Sequence, residues 1–244
     1  MRWDRGGARP FAIGGSATPA VKALLIANVV VFLFQAVARS LVQARIEPLF
    51  GLVPYEVVHH LFLWQLATYM FLHGGFWHIA WNMLALWMFG TELEAFWGTP
   101  KFLRFYTITG IGAAIMTTLV TPNSYTVTIG ASGAIYGLLA AYGLLFPDRV
   151  LLLYFVLPIR AKYLVLILGL ITFWSSLSAT GGGIAHIAHL GGMIFGWLYL
   201  RGPRWPRFGN PIGGAYQRWK KDRLRKKFSV YYSKTRGEDE EDNR

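Results

Sequence analysis

The sequence predicts an all-α polytopic membrane protein with six crossing helices. Three observations predict it. Of 244 residues, 54% are hydrophobic and 15% charged, with a mean hydropathy of +0.38, a balance that soluble domains rarely reach. The apolar residues gather into six segments rather than into short alternating runs. The Lys and Arg residues collect at alternate ends of those segments, as the positive-inside rule requires of membrane spans.

In order, the segments are 21–38, 77–96, 105–120, 132–146, 162–177 and 185–200. Several fall short of the ~20 residues that a full crossing needs, so protein rather than lipid must cover their ends. The first follows a basic start and ends in "AVA", Ala36–Ala38, which imitates a secretory signal. Its removal would leave five spans and misplace the charges, so retention is expected. The stretch Val150–Pro158, "VLLLYFVLP", is apolar but short and bracketed by Arg149, Arg160 and Lys162. It reads as an interfacial part of a loop. Three regions follow: an N-terminal segment 1–20, a helical domain 21–200, and a tail 201–244 that is basic and then acidic.

The net charge of +12 could suggest nucleic acid, but about half of the basic residues lie after Leu200 and most others flank the spans. That is a topology signal rather than a nucleic-acid footprint. Arg2, Arg5, Arg9, Lys101, Arg104, Arg149, Arg160, Lys162 and the tail fall on one side, so both termini are expected in the cytoplasm. The lack of a long targeting extension points to a prokaryotic cytoplasmic membrane. There is no cysteine, which excludes disulfides, thiolate metal sites and a cysteine nucleophile.

Polar groups inside spans are costly and demand a reason. His78 and Asn82 are four apart on one face of the second span. The sixth holds His186 and His189, three apart, and the fourth begins at Ser132. At ~1.5 Å per residue, Ser132 and His78 lie about 21 Å from the cytoplasmic end of their spans, His189 about 18 Å and Asn82 about 15 Å. All four would sit at one depth, some ~10 Å below the outer surface of a hydrocarbon core ~30 Å thick.

Ser132 and His189 make the natural pair, because a serine hydroxyl needs a base to become a nucleophile and histidine titrates in the right range. No carboxylate falls at this depth: Glu92, Glu94 and Asp148 lie toward the cytoplasm, Glu47 and Glu56 in the first outer loop. A dyad is therefore expected rather than a triad. Tyr136, one turn after Ser132, can flank the imidazole. His78 and Asn82 are candidate oxyanion donors beside the helix start at Ser132; such a donor is typically worth about 2.7–4 kcal/mol in barrier. Gly133 and Gly137, with Gly192 and Gly196, would let the fourth and sixth spans approach closely. His73 is expected at the outer interface and His186 near the outer rim, both in structural or supporting roles.

Other readings stay open on these residues alone. Ser132 beside glycines could serve packing, and "GASG" lacks the glycine two after the serine that the soluble hydrolase elbow needs. Paired histidines could hold zinc or haem, although the zinc-protease pattern HExxH is absent. A transporter would show repeat symmetry, and none is visible.

The "GASG" of Gly130–Gly133 with Tyr136, "HLGGMIFG" from His189, and "HGGFWHIAWN" with His73, His78 and Asn82 resemble the motifs of the rhomboid intramembrane serine proteases, in that family's order over roughly residues 64–200. The resemblance implies a six-helix bundle with a membrane-associated first outer loop. It implies Ser132 as nucleophile, His189 as general base, and an oxyanion hole of His78, Asn82 and the Ser132 N–H. It further implies Tyr136 stacked on His189, no metal or cofactor, and cleavage of single-pass membrane proteins near the outer side of the bilayer. Glu94 stands where the family has a glutamate that ties helices together. The family's Trp-Arg pair reads Trp64-Gln65 here. An inactive relative that binds membrane helices, or a histidine-bound metal or haem protein, is the alternative. The resemblance is silent on oligomeric state.

Overall fold

The computed structural model describes residues 16–43, 45–153, 157–177 and 183–202. Most of the expected segment 1–20 and nearly all of the tail 201–244 lie outside these residues. The first helix, α1 (Pro19–Val42), opens where Pro19 supplies a preset φ and ends at Gln43 in the left-handed region, φ 50°. The connection that follows carries three short α-helices, α2 (Glu47–Phe50), α3 (Pro54–His59) and α4 (Gln65–Thr68), and a 3-10 turn at Tyr69–Phe71. Leu52, Val53, Tyr69, Met70 and Leu72 bury in the protein and pin this connection down. A two-way backbone bridge, Leu52 N to Thr128 O (2.9 Å) and Thr128 N to Leu52 O (2.8 Å), ties it to the segment before Ser132.

The second apolar segment forms α5 (Phe76–Ala85), a π turn (Leu86–Gly90) and α6 (Thr91–Trp97) in unbroken succession. The sequence predicts one span here; its extent agrees, but its middle is wound more widely. Gly98, at φ 80°, turns the chain into α7 (Thr99–Val120). Then come α8 (Ser132–Leu145), α9 (Ala161–Ser176) and α10 (Gly183–Arg201). The expected bounds differ from these by a few residues, most at 105–120, which Pro100 at the helix start extends back to Thr99.

The expected loop at Val150–Pro158 is a β-hairpin instead, so the description all-α needs correction. Strand β1 (Val150–Leu153) pairs antiparallel with β2 (Leu157–Arg160), Val150 opposite Arg160 and Leu153 opposite Leu157. Backbone groups cannot be left unpaired beside apolar surroundings, and pairing satisfies them within the segment. Lys162 bridges to Asp148 (2.8 Å) and the Ala161 N–H bonds to the Arg149 carbonyl (2.8 Å), which closes the hairpin base.

Among the described residues three helices, α1, α7 and α10, are long and apolar enough to cross a membrane; α8 and α9 are shorter and apolar. Large apolar side chains cover the outside. Val30, Leu33 and Phe34 on α1 are 57–60% exposed, as are Leu166 and Leu170 on α9 at 58–59%. Such a surface suits lipid and not water. The protein is an integral membrane protein built as a helical bundle.

The centre of the bundle is α8, flanked by α7 and α10. Its small residues make this possible. A Cβ at Gly133 would lie 2.7 Å from Ala113 Cβ, and one at Gly137 would lie 2.6 Å from Thr109 Cβ, so α7 seats directly on both glycines. From the other helix, a Cβ at Gly192 would lie 1.8 Å from the Gly133 carbonyl oxygen, and one at Gly196 would lie 3.1 Å from that of Gly137. The two expected glycine pairs thus meet, and α8 and α10 touch backbone to backbone.

The Glu94 carboxylate joins the two helix starts at the opposite end. It accepts from the backbone N–H groups of Ala20 and Val21 (both 2.9 Å) and from the hydroxyls of Thr18 and Thr99. Those N–H groups are donors that a helix start leaves unsatisfied. The helix-tying role that the resemblance implies for Glu94 is present in this geometry.

A test of the central contact compares two glycines. Gly192→Ala should lower unfolding free energy in mixed micelles by about 3 kcal/mol, the upper range for overpacking, since backbone cannot yield as a side chain can. Gly169→Ala, whose Cβ would make only ordinary contact with Met193 (3.4 Å), should be neutral or stabilising by up to ~1 kcal/mol. Equal effects would mean that the α8–α10 distance is not set by this contact.

Candidate active site

Ser132 opens α8, and the chain reaches it through a turn that only glycine accepts. Gly130 has φ 121°, its N–H bonds to the Tyr69 carbonyl (2.9 Å), and a Cβ there would lie 2.7 Å from His78 Nε2. One residue thus makes the turn and leaves space for the imidazole. Gly133, directly after Ser132, brings in α10 as described.

That approach places His189, one turn before Gly192, against the serine. His189 Nε2 lies 2.7 Å from Ser132 Oγ. For the hydroxyl to donate to Nε2, the other ring nitrogen must carry the proton. Among the described residues Nδ1 has no hydrogen-bond partner, and no carboxylate meets it. Among the described residues the arrangement is therefore a pair. Tyr136 holds the ring from the side: the two rings stack at 4.2 Å with an interplanar angle of 3°. His186 meets His189 edge-on at 5.8 Å.

His78 comes from α5. The Gly74 N–H donates to His78 Nδ1 (3.2 Å), so in the neutral ring Nε2 carries the hydrogen. That nitrogen is the one directed at Gly130, beside Ser132. Asn82, buried one turn further along, donates from Nδ2 to the His78 carbonyl (2.8 Å), which engages one of its two amide hydrogens. Its bond is to α5 itself and not to Ser132.

His73 is buried in the protein, 2% exposed, and its ring lies edge-on to His78 at 5.1 Å. Its backbone is held by Gln35 of α1, whose Oε1 accepts from the His73 N–H (2.9 Å). Sequence reasoning passed over Gln35. The signal was available: a primary amide inside an otherwise apolar span. Gln65, in the connection between the spans, is another buried amide. It is fully buried, accepts from the Val53 N–H (2.9 Å) and donates to the Pro48 carbonyl (3.1 Å), while Trp64 Nε1 donates to the Leu49 carbonyl (2.8 Å). Glutamine in place of the family's arginine therefore braces the connection from within.

Among the described residues no three His, Asp or Glu side chains converge as a metal ion requires. The constellation offers a hydroxyl, a base in contact with it, a stacked support for that base, and N–H donors at a helix start. That set suits acyl transfer.

Comparison with known proteins gives the lineage. Residues 60–202 match the model of the Rhomboid domain. Rhomboid protease AarA of Providencia stuartii is 31% identical over 207 residues, which are 77% of this chain and 73% of that protein. Rhomboid protein 1, mitochondrial, of Saccharomyces cerevisiae is 36% identical over 140 residues, 53% of this chain and 38% of that protein. Rhomboid protease GluP of Bacillus subtilis is 33% identical over 153 residues, 63% of this chain and 27% of that protein. The chain thus spans well under half the length of the last two. With the domain match covering more than half of the sequence and one relative aligned over most of its length, this chain belongs to the rhomboid family.

Proposed function

We propose that the protein is an intramembrane serine endopeptidase that cleaves transmembrane segments of other membrane proteins by a Ser132–His189 dyad. The observation that carries the reading is the 2.7 Å contact between His189 Nε2 and Ser132 Oγ at the start of α8. The rhomboid proteases among its relatives support the reaction class. In this reading six helical segments cross the bilayer, with the π-wound stretch Phe76–Trp97 as the second, and both termini face the cytoplasm. The catalytic unit is 21–200, flanked by 1–20 and 201–244.

The chemistry follows from the atoms present. A substrate strand must first unwind, because helical carbonyls are held in hydrogen bonds; small or helix-breaking residues ease this. Ser132 Oγ bonds to the scissile carbonyl carbon while its proton passes to His189 Nε2. The oxyanion takes hydrogen bonds from the Ser132 N–H, His78 Nε2–H and the remaining Asn82 Nδ2–H. The C–N bond then breaks, and Nε2–H protonates the departing amine. Water adds to the resulting ester with its proton moving to Nε2. The Oγ–C bond breaks, and that proton returns to Oγ. Tyr136 keeps the imidazole plane fixed throughout.

With a labelled single-span substrate in detergent, Ser132→Ala and His189→Asn should each lower kcat by about 10⁴-fold or more, which reads as complete loss. A fluorophosphonate probe should label the wild type and not Ser132→Ala. A wild type that neither cleaves nor takes the probe would instead indicate an inactive helix-binding relative.

Two subtler variants separate the supporting roles. Asn82→Ala should lower kcat by about 10²–10³-fold. Tyr136→Phe should keep near-normal turnover, because stacking uses the ring and not the hydroxyl, while Tyr136→Ala should lose it in part.

A further inference from the structure

We propose that Gln35, on the outermost part of the bundle, is a positioning residue that sets the tautomer of His78. The inference rests on the reading of His78 as an oxyanion donor. The geometry is continuous from one helix to the other. On α1, Val29, Val30, Leu33, Phe34 and Val37 face outward, whereas Gln35 is 5% exposed. Its side-chain amide grips both backbone groups of one residue: Oε1 accepts from the His73 N–H (2.9 Å), and Nε2 lies at 3.5 Å from the His73 carbonyl. Nε2 also donates to Glu47 Oε1 (3.3 Å), and Glu47 is held in turn by Arg39.

The His73 carbonyl and the Gly74 N–H are two ends of one planar peptide unit. Fixing residue 73 therefore aims the Gly74 N–H, and that N–H donates to His78 Nδ1 (3.2 Å). A ring nitrogen that accepts cannot carry the proton in the neutral ring, so Nε2 does. Nε2 is the atom that lies by Gly130, two residues before the serine. In the opposite tautomer, Nε2 would present a lone pair to an oxyanion and repel it. Nothing else among the described residues donates to Nδ1. His73 does not replace the link, since its own Nδ1 lies on the Phe71 carbonyl (3.3 Å).

The test is ¹⁵N-histidine NMR of the full chain in micelles, with the His78 signals assigned by difference against His78→Asn, and kinetics on the same samples. Wild type should show an unprotonated Nδ1 and a protonated Nε2 for His78. In Gln35→Leu that pair should collapse toward a mixture of tautomers, and kcat should fall about 10–100-fold at unchanged KM, as small misplacements at a reacting centre do. Gln35→Asn, too short to reach residue 73, replaces it if Gln35→Leu does not fold. A wild-type His78 signature in the variant overturns the proposal, even if activity has dropped. If wild type neither cleaves nor takes the fluorophosphonate probe, the protease reading fails, yet the tautomer measurement still decides the role of Gln35.

Discussion

The structure depends on one contact in which two helices meet without side chains. Where Gly192 lies on the Gly133 carbonyl, α10 has come as near to α8 as backbone permits. Helices in lipid gain no hydrophobic drive from association, so close van der Waals approach carries the energy instead. The residues flanking this contact inherit its precision. Ser132 precedes Gly133, and His189 lies one turn before Gly192, so a packing contact and a hydrogen bond are set by the same two backbones. Because α7 also presses on Gly133 and Gly137, α8 has little room to shift and carry the serine away from its partner.

A second layer of constraint works through amides rather than charges. Gln35 and Gln65 each bind backbone groups of a segment that has no regular pairing of its own. A buried amide offers donors and an acceptor without the desolvation cost of an ion. In a bundle surrounded by hydrocarbon, this lets irregular chain lie next to the site while its N–H and C=O groups stay satisfied. The bridge between Leu52 and Thr128 extends the same device to the approach to Ser132.

Much of this was legible in the sequence, and particular residues show why. The six segments emerge because lipid-facing and buried positions are both apolar, which makes their ends sharp against Pro, Gly and basic residues. Ser132, His189, Tyr136 and the glycines were readable because fixed spacings on a helix translate directly into shared faces. The hairpin at Val150–Arg160 was not, since a short apolar run has no period that separates strand from buried loop. Nor was the backbone hold on His73, whose partner is 38 residues away on another helix. Local pattern carries no information on such pairings. The π turn left no mark either: its five residues, Leu86–Gly90, are as apolar as ordinary helix.

The Glu94 junction has a consequence for the order of assembly. Ala20 and Val21 emerge first during synthesis, yet the carboxylate that receives their N–H groups lies 74 and 73 residues later. Until α6 and the start of α7 exist, the first helix can insert but its leading end has no acceptor supplied by the protein. The start of α1 therefore waits for a later group to lock it, yet that group still precedes α8, α9 and α10. Gln35 sits on that same helix, and its partner His73, with Gly74 and His78, also precedes Ser132, so a nascent chain would hold the frame that aims His78 before it holds its serine and histidine.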